Sequence, residues 1–252
     1  MQALIDNGRY KVTEVLYSTD GYDVCLCTDV MDNTGKSVIV NTYSSREHIA
    51  ELLPMFFAIN QNGMRDFIEL ITANGSVSAI FEYHKGLSFA EYYLQMEKKG
   101  AKRDFEESMR IAENLFMRAL ELDLADDRIA FCALNEQSIT IDPAAKTVDF
   151  NFRVLPKTVP EPMFRGKRLG MLLEKIFPVG RYLPEEIERF TTELCDGKYP
   201  TCSAVYARWR EISETARETY AAYKNEPFTK YLSRKVKQKK QEKKKVRDKE
   251  AD

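Results

Sequence analysis

The segment FCALNEQSITIDPAAKTVDFNF, residues 131–152, contains two short runs rich in β-branched and aromatic residues. The runs QSITID (137–142) and KTVDFNF (146–152) are separated by Pro143-Ala-Ala, which is typical of a turn between two strands. The segment therefore predicts one small hairpin. Because apolar residues recur at helical spacing on both sides of it, we expect this hairpin to lie within a largely helical region.

The helical region begins near residue 87. Its apolar residues fall on one face, as with Met109, Ala112, Leu115 and Phe116. The predicted helices cover 87–100, 104–127, 168–177, 183–195, 202–212 and 213–224. Their large aromatic residues are expected in the core, namely Phe89, Tyr92, Tyr93 and Trp209.

The first part of the chain has a different pattern. Short alternating runs and Gly-containing turns predict five strands, at 10–17, 22–30, 37–43, 66–72 and 76–83. The last two are joined by Ala-Asn-Gly, a strong hairpin turn because Asn and Gly both tolerate positive φ. Ser44 or Ser45 offers an N-cap for one helix at 46–60.

This order of elements resembles the protein kinase fold over residues 8–223. Four strings carry the resemblance in the right order. EYHKGLSFAEYYL is similar to a kinase hinge with its following helix, and FCALNEQSITID is similar to the catalytic loop. TVDFNF is similar to the strand that ends in Asp-Phe-Gly, and RLGMLLEKIF is similar to a helix of the large lobe.

The resemblance implies an α+β, bilobal, kinase-like fold. It implies a small antiparallel five-stranded N-lobe with one helix, followed by a mostly helical C-lobe. The implied boundaries are 1–83 for the N-lobe, 84–86 for the hinge, 87–229 for the C-lobe and 230–252 for a basic tail. We expect this tail to be a solvated helix or disordered.

The residues at the family's catalytic positions do not match its chemistry. Asn41 stands where the phosphate-holding strand lysine would be, Ala133 where the catalytic aspartate would be, and Ser138 where the metal-binding asparagine would be. A neutral amide cannot replace an ammonium ion, alanine cannot accept a hydrogen bond from a substrate hydroxyl, and a hydroxyl is a poor ligand for a hard cation. The glycine positions of the phosphate loop hold Tyr17, Thr19 and Tyr22.

Asp149 is the one match to a metal-binding position, and we interpret it as a vestigial cofactor-binding residue that orders the adjacent turn. Glu51 aligns with the helix glutamate of the family's ion pair, but we expect it to be solvated because its lysine partner is missing. Arg165 stands near the position of a structural aspartate. The resemblance thus predicts no catalytic residue, no metal and no cofactor.

Composition sets broader limits. The 252 residues are 44% hydrophobic, which is enough for one large domain or two packed lobes. No run approaches the roughly 20 apolar residues of a membrane span, and the N-terminus lacks the apolar core of a secretory signal, so we expect a cytoplasmic protein. The five cysteines form no CxxC pair, which predicts reduced thiols rather than a metal site.

The basic tail carries most of the charge asymmetry. Residues 230–252 contain eleven Lys or Arg against four acidic residues, a net charge of +7, which leaves −8 on residues 1–229 of the total −1. We interpret the tail as a solvated arm, as a contact for an anionic membrane surface or a protein, or, with less support, as a nucleic-acid contact. The candidate contact residues are Lys239, Lys240, Lys243, Lys244, Lys245 and Arg247.

The sequence therefore favours a pseudokinase that acts as a binding or scaffold protein with a protein partner. The cytosolic part of a bacterial type VII secretion component is similar at the level of fold, which implies a place in a bacterial secretion or signalling complex. The alternative is an atypical active kinase or nucleotide-binding regulator that uses Asp149 and relocated residues.

Overall fold

The computed structural model describes residues 4–5, 8–100, 103–156, 165–178, 180, 182–227, 229–230, 233 and 236. Strands dominate the first part of the chain and helices dominate the second, which confirms the α+β class. Within the described ranges, no helix combines the length and the apolar character that crossing a membrane requires.

Six antiparallel strands form the sheet of the first part, in the spatial order β1-β2-β3-β4-β6-β5. The strands are β1 (Leu4–Ile5), β2 (Tyr10–Thr19), β3 (Tyr22–Asp29), β4 (Ser37–Tyr43), β5 (Phe67–Ala73) and β6 (Ser76–Glu82). Five of them match the predicted strands. The short β1, which pairs with β2, was missed because two residues are too few to show alternation.

The sheet curls, so that side chains at and just before the start of β2 meet β5 across three intervening strands. Arg9 Nη1 lies 2.7 Å from Glu69 Oε1, and the hydroxyl of Tyr10 donates to the same carboxylate. Inside the curl is a small second core, formed by Tyr10, Cys25, Cys27, Val38, Val40 and Ile80. Cys25 and Cys27 are therefore free thiols on one buried face, as their alternation predicts.

Helix α1 (Arg46–Gln61) covers the other face of the sheet. Its residues Leu52, Phe56 and Ile59 are buried at helical spacing. The ring centroid of Phe56 lies 5.7 Å from that of Tyr43 and 6.3 Å from that of Phe81. These contacts hold α1 against β4 and β6, the strands that line the cleft described below.

The second part begins with β7 (Leu87–Ser88) and α2 (Phe89–Lys98). Ser88 and Glu91 form a capping box at the start of α2, in which each side chain bonds to the other residue's backbone N–H. Strand β7 pairs with β8 (Ile139–Ile141), which pairs with β9 (Val148–Phe150). The predicted hairpin is confirmed, and its strands are shorter than the quoted runs.

The helix predicted at 104–127 is wrong in its length. The chain forms α3 (Phe105–Ala119), a 3₁₀ helix (Leu120–Leu124) and then α4 (Asp127–Ala133). Ala125 breaks the run with an extended backbone at φ −98° and ψ 159°, and the Asp126 side chain caps α4 by accepting from the N–H of Arg128. Residues 131–133 therefore end a helix, although the kinase resemblance places them in a loop.

Three helices complete the described chain: α5 (Arg165–Ile176), α6 (Glu185–Cys195) and α7 (Cys202–Lys224). The two helices predicted at 202–212 and 213–224 are one, because Ser213 is buried inside α7 between Trp209 and Ala216 instead of capping a new helix. Trp209 is fully buried, and its ring centroid lies 5.2 Å from that of Phe116. Phe89, Tyr92 and Tyr93 are also buried, each at most 6% exposed. The predicted core positions of these aromatic residues are confirmed.

Candidate functional site

The cleft between the six-stranded sheet and the helical part is filled by the chain that follows β9. Phe150 and Val154 are fully buried, and Phe152 between them is 1% exposed. The ring of Phe152 stacks on Phe81 of β6, with the two centroids 5.0 Å apart and the planes inclined by 20°. Residues 151–155 thus pass through the cleft as part of the core.

Asn41, in the middle of β4, binds the backbone of this segment through both polar atoms of its side-chain amide. Its Nδ2 donates to the carbonyl of Phe152 at 3.0 Å, and its Oδ1 accepts from the N–H of Val154 at 2.9 Å. A side-chain amide has one donor group and one acceptor, so it can pair with a peptide backbone as a neighbouring strand would. Because Asn41 is 0% exposed, no water can replace it.

Tyr43 adds a third bond from the same strand. Its hydroxyl donates to the carbonyl of Val154 at 2.6 Å. Alternate residues of a strand face the same side, so Asn41 and Tyr43 reach the segment together. Burial raises the pKa of Tyr43 well above its usual value, and the phenol therefore remains a neutral donor.

Asn151 ties the same segment to the connection between the two parts of the chain. Its Oδ1 accepts from the N–H of His84 at 2.9 Å, and its Nδ2 donates to the carbonyl of His84 at 3.1 Å. Nδ2 also donates to the hydroxyl of Thr140 on β8 at 2.7 Å. The amide of Asn151 thus uses both backbone polar groups of His84, the first residue of the predicted hinge.

Asp149 points into a cluster of charged side chains beside His84. Arg118 of α3 pairs with Asp66, which is fully buried, and its Nε lies 3.2 Å from Asp149 Oδ1. His84 Nε2 lies 3.3 Å from Asp66 Oδ1, and His84 Nδ1 lies 3.9 Å from Asp149 Oδ2. His84 Nε2 is therefore at ion-pair distance from the buried carboxylate of Asp66.

This cluster raises the pKa of His84 and pairs Asp149 with Arg118. Burial lowers the pKa of His84, but the side chain and charge of Asp66, with the charge of Asp149, outweigh it and leave the pKa above its usual value. Asp149 therefore forms ion pairs, whereas the sequence predicts that it orders the adjacent turn. Across the described residues, no group of His, Cys, Asp and Glu side chains is arranged to hold a metal ion.

The residues aligned with the catalytic loop are apolar or lack a charge. Ala133 is fully buried, Cys132 is 5% exposed, and the ring of Phe131 lies under Arg168, whose guanidinium carbon is 5.6 Å from the ring centroid. Ser138 lies directly before β8, and its carbonyl accepts from the N–H of Asn151 at 2.7 Å. The segment has become a packing element that supports residues 151–155.

Glu51 and Arg165 each have partners that the sequence did not reveal. Glu51 forms an ion pair with Arg128 of α4, so the expectation of a solvated residue is wrong. Arg165 Nη2 lies 2.8 Å from Asp127 Oδ1 and donates to the carbonyl of Ala125 at 2.7 Å. Both side chains therefore connect elements that are distant in sequence.

The turn aligned with the phosphate loop is built for packing. Tyr17 and Tyr22 stack across it, with ring centroids 5.4 Å apart. Gly21 has a φ of +101°, and a Cβ at this position would lie 2.9 Å from the Cβ of Ser45. A glycine is therefore required at position 21, because any larger residue would clash with the start of α1.

The candidate tail residues lie outside the described residues. They are Lys239, Lys240, Lys243, Lys244, Lys245 and Arg247. Their contact with protein, membrane or nucleic acid stays a prediction from the sequence.

Comparison with known proteins identifies the fold. No family model matches the chain, and no curated protein matches it. A solved structure described as an apo pseudokinase is similar with a TM-score of 0.54 over 81% of this chain and 92% of that one, at 14% sequence identity. The chain has the protein kinase fold. At this identity, the likeness concerns the fold alone.

The kinase fold implies magnesium and ATP between the lobes, and the residues of this cleft do not fit them. Asn41 and Asn151 have both sides of their amides engaged by backbone groups, and Phe152 fills the space beside Phe81. Arg118 pairs with Asp66, Glu121 and Asp149, so Asp149 is already engaged. Arg153 adds one cation beside the cleft. A triphosphate requires several fixed cations and its metal requires free carboxylates.

Sequence reasoning missed the role of Asn151. It was aligned with the glycine of Asp-Phe-Gly and given no function. The signal was present, because Asn151 is a polar residue within the otherwise apolar run Phe150-Asn-Phe152. A buried polar side chain must find partners, and an amide in such a run indicates a bond to backbone groups.

Proposed function

We propose that this protein is a catalytically inactive kinase-like protein whose cleft is closed by its own chain and which acts by binding a protein partner. The observation that carries the proposal is the pair of buried amides. Asn41 and Asn151 hold residues 151–154 in the cleft through four hydrogen bonds of 3.1 Å or less to backbone groups. A nucleotide that reached the inner part of the cleft would meet this segment and the buried ring of Phe152.

Two further observations support a function without phosphoryl transfer. General-base catalysis requires a group that accepts a proton from the substrate. The residue that the resemblance aligns with the catalytic aspartate is Ala133, whose side chain is a methyl group. Charge neutralisation requires free cations and metal-binding carboxylates, whereas Asp149 is engaged with Arg118. Asn41, which the resemblance aligns with the family's strand lysine, binds the backbone of Phe152 and Val154 and so helps to close the cleft.

Thermal unfolding with and without millimolar MgATP tests the closed cleft. Binding at about 100 times Kd would stabilise the protein by about 2.7 kcal/mol, so even weak occupancy is measurable. We expect no shift in Tm and no transfer of radiolabelled phosphate to the protein or to a general substrate. Asp149→Ala should behave as the wild type in both assays.

The opposite result would favour the alternative function. MgATP-dependent stabilisation together with phosphate transfer that Asp149→Ala abolishes would identify an atypical active kinase. Stabilisation without transfer would identify a nucleotide-binding regulator.

The partner is proposed from the fold and the charge of the tail. An inactive kinase fold offers two lobes as a docking surface, and the tail adds a net +7 that attracts anionic surfaces. A bacterial secretion or signalling complex is the setting that we propose. Affinity purification of the full chain and of residues 1–229 tests it. We expect loss of the strongest partner on truncation, with unchanged folding, whereas equal recovery of partners would assign the tail to solubility.

A further inference from the structure

Arg153 is a half-buried cation whose partners are missing from the described part of the chain. It follows Phe152 and lies where the filled cleft opens to solvent. Its Nε atom is buried and has no hydrogen-bond partner. Burial lowers the pKa of Arg153 below its usual value, and electrostatic interactions with Tyr83, Glu14 and Glu91 offset this only in part. The guanidinium remains protonated at this depth, because arginine does not lose its proton in proteins.

A cavity of about 260 Å³ lies next to this guanidinium. One wall comes from β2, through Leu16 and Tyr17, and the other comes from Phe131 and Leu155. These four side chains give the cavity an apolar surface between the two lobes. Its volume is just below the range of about 300–1,000 Å³ that is typical of small-molecule sites, so an occupant would be a small molecule.

Polar groups without partners converge on the same cavity. Ser138 is 3% exposed and lines the cavity, and within the described residues its hydroxyl has no hydrogen-bond partner. The exposed Gln137 lies at the rim. The cavity therefore combines one cation, one serine hydroxyl and two amides, those of Asn135 and Gln137, with an apolar wall, which is the composition of a site for a small amphipathic molecule.

We infer that this cavity binds a small organic monocarboxylate with an apolar body, with the carboxylate on Arg153 and the body against Tyr17 and Phe131. A carboxylate matches a guanidinium in geometry and gives it the charge-assisted hydrogen bonds that it lacks. It also removes the cost of leaving a half-buried cation uncompensated.

The charge of the site selects a monoanion over a phosphate compound. A triphosphate or a doubly charged phosphate needs more than one cation, and among the described residues that line this cavity Arg153 is the one basic residue. The carboxylates that could hold a metal are also missing from its described lining. The proposed ligand is thus different in chemistry from the nucleotide that the fold implies.

Calorimetric titration of the full chain with phenylacetate and with phenylacetamide tests the inference. The two probes have nearly the same size, and only the first has a carboxylate. We expect phenylacetate to bind at least about tenfold more tightly, which is the strength of a hydrogen bond between charged groups. Arg153→Met should remove this difference, whereas the exposed Arg110→Met, a matched loss of one guanidinium, should preserve it.

Thermal unfolding gives a second measurement. Because Arg153 has no ion pair among the described residues, Arg153→Met should raise Tm without ligand, and phenylacetate should raise the Tm of the wild type but not of the variant. If Arg153→Met fails to fold, the two probes still discriminate on the wild type.

Three results would overturn the inference. They are equal binding of the acid and the amide, binding of neither at millimolar concentration, and binding of inorganic phosphate or MgATP in place of phenylacetate. The MgATP arm reports separately on the closed cleft, so a failed carboxylate site leaves the proposed function standing.

Discussion

Replacing Asn41 by leucine should destabilise the protein strongly, because this amide holds the segment that fills the cleft. Leucine has a similar size but neither a donor nor an acceptor. The carbonyl of Phe152 and the N–H of Val154 would then be buried without partners. Each such group costs about 1–3 kcal/mol, so the free energy of unfolding should fall by about 2–6 kcal/mol. Water cannot compensate, because Asn41 is 0% exposed.

Urea denaturation of the wild type and of Asn41→Leu measures this loss. A matched control is Asn225→Ala, which removes an exposed amide whose Nδ2 donates to the carbonyl of Ala221 at 3.0 Å. Water can replace that bond, so the control should lose less than about 0.5 kcal/mol. Hydrogen exchange adds a local readout, since the N–H of Val154 should exchange faster in Asn41→Leu.

The reasoning would be refuted if Asn41→Leu lost no more stability than Asn225→Ala. It would also be refuted if the N–H of Val154 kept its protection in the variant. Either result would mean that the packing of Phe152 holds the segment without the amide.

Further predictions concern the charged groups. Arg118→Met should cost about 3–5 kcal/mol in urea denaturation, because it removes the guanidinium that pairs with the fully buried Asp66 and leaves only His84 beside that carboxylate, and a loss below about 1 kcal/mol would contradict this. Glu51→Gln should cost at most about 1 kcal/mol in the same assay, since its ion pair is partly exposed, and a larger loss would show a stronger inter-lobe role. Because the pKa of His84 is raised on folding, its stabilisation is complete below the unfolded pKa of about 6.5 and is lost as the pH rises through the folded pKa. Stability measured from pH 6 to pH 9 should therefore fall in the wild type by more than in His84→Gln, and parallel curves would exclude this role.

Two buried amides have a structural use in this fold. Asn41, which the kinase resemblance aligns with the phosphate-holding lysine, binds the chain's own backbone. Asn151 binds both polar groups of His84, the first residue of the predicted hinge. Because both amides act on one segment, the losses of unfolding free energy caused by substituting Asn41 and Asn151 should not be additive.

The sequence alone determined the architecture. Alternation in β2 to β6 and helical spacing after residue 87 are local patterns, and local backbone preference expresses them directly. The sequence also predicts, from the order of four short strings, that Asn41 and Ala133 stand at the positions of the family's lysine and aspartate. Such a prediction needs no coordinates, because a side chain that has no charge cannot supply one in any conformation.

The tertiary structure alone decided what fills the cleft. Asn41 and Phe152 are 111 residues apart in sequence, and His84 and Asn151 are 67 residues apart. Hydrogen bonds over such separations depend on the packing of the two lobes, which no local pattern encodes. The same holds for Glu51 with Arg128 and for the uncompensated charge of Arg153, since burial and the presence of a partner are properties of the folded chain.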